Sequence, residues 1–135
     1  MQITARLTQV SATTSLAAAR QHTSLIDRPV SKGGEDRGPM GGELLLMGIG
    51  GCFMSNLLAA GVAKGIALHE AAVDVSAELE GTPARFTTVH LSVSGGTSDR
   101  AAMQEMIEIA EAGCIAVNTI KGSATVSVAL NTTLS

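Results

Sequence analysis

Between Leu44 and Ala63 the chain runs for twenty residues without a charged side chain, and such a segment has to leave water somewhere. Twenty residues is also the length that crosses a bilayer. The run, however, contains Gly48, Gly50, Gly51, Gly61, Ser55 and Asn56, and no aromatic belt marks its ends. The chain around it alternates like soluble strands. The segment therefore predicts a fully buried helix, from about Gly42 to Lys64, in a soluble cytoplasmic protein without a membrane partner. Stepping three or four residues at a time, Gly48, Cys52, Ser55 and Ala59 fall on one stripe. Small residues let another backbone approach closely, which predicts a second helix against this face and Cys52 in the seam.

A helix that apolar needs a core, and composition limits what this chain supplies. Its 135 residues predict a single domain, 1–135. A hydrophobic share of 45% against 16% charged excludes disorder as the ground state. Yet Phe53 and Phe86 are the only aromatic residues, so the core is thin, and sharing it with a second copy as a homodimer would remedy that. A net charge of −3 without any basic run argues against nucleic acid as a partner. Two cysteines do not make a secreted disulfide framework, and Met1 to Arg6 lacks a signal-peptide pattern. The thiols are expected to be reduced at rest.

Ile3 to Val10 reads as an edge strand, Ser11 to Ser15 as its turn, and Leu16 to Ile26 as a second extended stretch. Lys32 to Gly42, rich in Gly and charge, reads as a loop. Beyond the long helix, Ala71 to Glu80 and Phe86 to Ser94 alternate as strands joined through Gly81 to Ala84. Ser98 is the expected N-cap of a second helix with buried stripe Ala102, Met103, Met106, Ile109, Ala110 and Gly113. A turn through Asn118 and a last strand, Ala124 to Leu130, complete an α+β fold with a mainly antiparallel sheet.

No Ser-His-Asp spacing and no phosphate-binding loop occurs, and His22, His69 and His90 are scattered over separate segments. Nothing recommends a metal or a cofactor. The reactive inventory reduces to Cys52 and Cys114. Either thiol could serve simply as a small buried hydrophobe, and spacing leaves open whether the two meet.

Three runs add to this reading: Gly33 to Leu46 (GGEDRGPMGGELLL), Gly50-Gly51-Cys52-Phe53, and Ala110-Glu111-Ala112-Gly113-Cys114. Together with the element order they resemble the OsmC / organic hydroperoxide resistance (Ohr) family. The resemblance implies an OsmC-like fold, an intertwined homodimer, and a thiol peroxidase that reduces organic hydroperoxides with a dithiol such as a lipoyl group. Cys52 resembles the peroxidatic cysteine and Cys114 the resolving one. A cysteine in mid-helix draws nothing from its own helix N-terminus, so a cation is expected to lower its pKa. In the family this is an arginine oriented by a glutamate; here Arg37 or Arg20, ahead of Arg28, and Glu43 are the candidates. Glu43 precedes Cys52 by nine residues where the hydroperoxide reductases usually place ten, and it could instead cap the helix start. Ile115 stands where many relatives have proline, a mark of the looser OsmC-like branch. A non-catalytic module that binds an apolar ligand or senses oxidants is the alternative reading.

Overall fold

Alternation near the start of the chain becomes three short strands: β1 (Arg6–Gln9), β2 (Ser15–Ala19) and β3 (His22–Ile26), paired in that order and all antiparallel. The single extended stretch expected over 16–26 is thus two strands. The chain folds back at Arg20, which adopts φ 55°, while Ala19 and His22 pair across the turn. Without Gly, Asn, Asp or Pro at that point the sequence carried no turn signal. The computed structural model describes residues 1–131 and forms two compact units, which divide between Leu45 and Leu46.

One carboxylate organises the first unit. Asp27, buried just after β3, accepts the Thr14 hydroxyl (2.8 Å) and the backbone N–H groups of Glu35 (3.2 Å) and Arg37 (3.3 Å) on Oδ2, and the Arg28 N–H (2.7 Å) on Oδ1. Burial alone would push its carboxyl up. The Thr14 hydroxyl, the Arg28 and Arg37 N–H groups and the Thr13 hydroxyl outweigh that and hold it at about 2. The Gly-rich segment is the expected loop, opened by a 3-10 turn at Val30–Lys32 and wrapped around this anionic side chain.

The long helix α1 (Gly41–Lys64) begins in the first unit and continues through the second. There β4 (His69–Glu80) and β5 (Arg85–Gly96) pair antiparallel, and β6 (Thr125–Leu130) lies parallel to β5. That parallel pair requires a crossover, provided by α2 (Arg100–Gly113) and α3 (Ile115–Ile120). The fold is α+β with mainly antiparallel strands, as the element order predicted. Ile49, Phe53 and Leu57 of α1 pack with Val89, Leu91 and Val93 of β5, Met103, Met106, Ile107 and Ala110 of α2, and Val117 of α3.

Several local expectations change. Asp99 rather than Ser98 caps α2, its Oδ1 accepting the Ala102 N–H at 3.1 Å. Ile107 occupies the buried stripe in place of Ile109, which is exposed. The segment expected as a turn after Cys114 is α3. Most visibly, α1 is long and apolar enough to span a bilayer by length and composition, but only a third of its apolar window is buried within the chain. Ile49, Phe53 and Leu57 face the core; Gly48, Gly51, Ser55 and Ala59 are exposed. Nothing lies within 4 Å of where a Cβ at Gly48 or Gly51 would stand. Of the expected stripe, Gly48, Ser55 and Ala59 stay exposed, and Cys52 alone approaches another helix, at the start of α3.

Candidate active site

Phe53, fully buried, fixes the rotation of α1 in the second unit, and its neighbour Cys52 consequently lands at the border of the core, half-buried. Cys114 sits at the joint between α2 and α3, with an extended backbone (φ −76°, ψ 110°) that ends one helix and starts the next. Its N–H donates to the Glu111 carbonyl at 3.3 Å, and its Sγ accepts the Val117 N–H at 3.5 Å. The sulfur therefore caps α3 and is itself fully buried.

This joint also bears on the other thiol. The first N–H groups of a helix lack intrahelical partners, and in α3 those of Ala116 and Ile115 favour the Cys52 thiolate. Burial pushes the Cys52 thiol up. The Ala116 N–H, the Cys114 S–H and the Ile115 N–H together exceed that effect, so the net shift is downward. Cys114 moves the other way. Burial raises it, and although the Val117 N–H works against this, its proton is held in the bond to Cys52 and a second negative charge beside Cys52 is disfavoured. The site is asymmetric, with a half-buried sulfur disposed to ionise and a buried one disposed to keep its proton.

To the cation expected for Cys52 the fold adds a second contribution. Its own helix contributes nothing, but the start of α3 does, and backbone donors leave no trace in residue types. Alkylation of Cys52 should accordingly reach half its maximal rate below the ordinary thiol value of about 8.5. Ala116→Pro, which removes an N–H at a helix position tolerant of proline, should move the midpoint upward. A midpoint unchanged in that variant, with helicity retained by circular dichroism, would remove the backbone contribution.

Asn56 is a further site residue that chemical inventory alone passed over. One turn beyond Cys52, its Nδ2 donates to the Cys52 carbonyl at 2.9 Å and lies 3.9 Å from Cys52 Sγ. A polar side chain four residues from a cysteine in an uncharged helix was the available signal.

The other candidates belong to the first unit. Glu43 lies in the first turn of α1, where its Oε1 accepts the Met40 N–H at 2.9 Å, which is the capping arrangement. Arg20 occupies the β2–β3 turn, Arg28 follows Asp27, and Arg37 lies in the Gly-rich loop with its backbone held by Asp27. His22, His69 and His90 are on three different strands, and His90 Nδ1 contacts Ser127 Oγ at 2.6 Å. Among the described residues no three His, Cys, Asp or Glu side chains converge as a metal site would require.

An α+β chain with a half-buried thiol on its long helix and a buried thiol at a helix joint is a candidate dithiol protein. Comparison then gives the family: the model for OsmC-like protein matches residues 33–129, and the chain belongs to the OsmC family. Among solved structures it resembles an osmotic stress induced and detoxification response protein of Psychrobacter arcticus (16% identity, 97% of each chain, TM-score 0.85). It also resembles an organic hydroperoxide resistance protein of Legionella pneumophila (18% identity, 97% of each chain, TM-score 0.74). The organic hydroperoxide resistance protein OhrB of Bacillus subtilis matches at 22% identity over 95% of this chain and 98% of that one, with a TM-score of 0.68. At these identities the likeness establishes the fold. None of the curated protein sequences matches the chain.

Proposed function

We propose that this protein is a thiol peroxidase that reduces organic hydroperoxides through Cys52 and Cys114. The observation that carries the reading is the placing of two unlike thiols, Cys114 fully buried as the cap of α3 and Cys52 half-buried where the first N–H groups of α3 favour its thiolate. The hydroperoxide-resistance names of the Legionella and Bacillus relatives agree with it.

The Cys52 thiolate attacks the outer peroxide oxygen, the O–O bond breaks, and the alkoxide leaves as the alcohol after taking a proton. Cys114, still protonated, is a near source of that proton. Cys52 is left as a sulfenic acid, which the Cys114 sulfur attacks to form a disulfide and release water. The two electrons delivered to the peroxide are restored by a dithiol such as a lipoyl group, which reopens the disulfide by exchange. Ile115, whose N–H serves Cys52, exposes 71% of its surface, and an apolar residue there suits an organic peroxide.

The family resemblance assigns the helper roles to Glu43 and to Arg37 or Arg20. We also read both compact units as one OsmC-like domain, because the matched segment 33–129 crosses the boundary between them. The working form is a homodimer: Met47, Leu58 and Val62 expose 58%, 46% and 83% of their surface along α1, beside the open Gly48 and Gly51. Sedimentation at micromolar concentration should give twice the chain mass, and a stable monomer would defeat the dimer.

Cumene hydroperoxide with dihydrolipoamide tests the activity. Turnover with both thiols initially reduced is the expected result, and Arg37→Gln and Arg20→Gln in the same assay identify the helper. No turnover, with both thiols shown to be reduced and accessible, would transfer the site to ligand binding or oxidant sensing.

A further inference from the structure

At the end of α2 away from Cys114, the second unit contains a cavity of about 450 Å³, within the size range of small-molecule sites. Fourteen residues of helix place Arg100 and Cys114 about 21 Å apart, so this cavity is separate from the thiol pair. All three strands of the sheet contribute to it: β4 begins at His69, β5 ends at Gly96 and β6 ends at Leu130.

The cavity depends on an irregularity in the sheet. His69 pairs with Gly96 and Ala72 with Ser94, which leaves Glu70 and Ala71 opposite Gly95 alone, a β-bulge. Glu70 takes φ 54°, and Gly95 and Gly96 take 71° and 88°. A Cβ on Gly95 would stand 2.2 Å from the Glu70 carbonyl oxygen, and one on Gly96 2.8 Å from Met103 Sδ. Two side-chain-free positions thus line the space, with His69 at its border.

The lining has one sign of charge. Arg100 carries it, Thr97 and Ser98 bring hydroxyls, His69 a ring, Asn131 an amide, and Leu130 is apolar. The nearest acid in sequence, Asp99, directs its carboxylate to the Ala102 N–H and is not part of the lining. Among the described residues the Arg100 guanidinium, the His69 ring and the Ser98 hydroxyl have no hydrogen-bond or ion-pair partner.

We propose that this cavity binds a small organic anion, with its phosphate or carboxylate oxygens on Arg100, Ser98 and His69 and its carbon portion against Leu130. A lining that includes an arginine and two hydroxyl residues but no acidic residue selects an oxyanion, and Leu130 favours one that carries carbon.

The test is a nuclear magnetic resonance titration of the full chain with inorganic phosphate in one arm and butyrate in the other, against chloride at equal ionic strength. Saturable shifts at His69, Thr97, Ser98 and Arg100 are expected, and the arm that produces them identifies the head group. Arg100→Gln should weaken that binding about tenfold or more, the loss of a charge-assisted hydrogen bond, and Arg6→Gln, in β1, should leave it unchanged. Absence of saturation in both arms, equal shifts in chloride, or an affinity indifferent to Arg100→Gln would each overturn the proposal.

Discussion

Cys52→Ser is expected to lower hydroperoxide turnover by about 10³-fold or more, because it removes the nucleophile on which every later step depends. A serine hydroxyl in the same place does not ionise near neutrality, however many N–H groups face it. Cys114→Ser should behave differently. With Cys52 intact the first attack still occurs, so one equivalent of alcohol should appear and a sulfenic acid should be trappable, while no intramolecular disulfide can form. The same variant replaces the S–H donor to Cys52, so the midpoint of Cys52 alkylation should shift as well, through the bond that couples the two thiols. Full turnover in Cys52→Ser would remove the proposed nucleophile. Unchanged disulfide formation in Cys114→Ser would remove the proposed resolving partner.

The difference between these variants comes from an arrangement only partly legible in residue types. The uncharged run predicted α1 to within one residue, and alternation located β4 and β5, because both signals are local periodicities that burial imposes. The thiols could be singled out by elimination and by resemblance. Their opposed tendencies could not, since they arise from the backbone of α3. A segment short enough to read as a turn through Asn118 is in fact a helix whose N-cap is the second cysteine. Likewise Asp27 reads as an ordinary charged residue beside a proline-bearing loop, and only the folded chain gathers the Thr14 hydroxyl and three N–H groups around it. The misplacement of Ile109 and Ile107 has a related cause. Both fit a helical stripe, and the choice between them depends on which side of α2 meets the sheet.

The open face of α1 qualifies the notion of a buried helix in a similar way. Periodicity separates apolar from polar faces, but α1 is apolar nearly all round and so offered no phase to read. What sets its rotation is the face carrying Ile49, Phe53 and Leu57, which is buried together with Gly50, Ala60 and Gly61, while Met47, Leu58 and Val62 stay outside. In a chain with two aromatic residues, the one at the centre of α1 carries a large share of that packing.

Phe53→Ala should therefore be the most damaging core substitution, at about 3–5 kcal/mol. Phe53 is completely buried among Ile49, Leu57 and the inner residues of β5 and α2, and the other aromatic ring, Phe86, is only partly buried against this core. Against a total stability on the order of 5–15 kcal/mol for a native chain, that is enough to leave the variant marginal. The effect should extend to chemistry, since Phe53 fixes the angle at which the adjacent Cys52 meets the N–H groups of α3. Urea unfolding measures the first effect, and the pH midpoint of Cys52 alkylation, taken where the variant remains folded, measures the second. Phe53→Leu, which retains most of the volume, should recover the greater part of both. A loss below about 1 kcal/mol in Phe53→Ala would show that the site collapses readily around the missing ring, and that the rotation of α1, and with it the placement of Cys52, is held by other contacts.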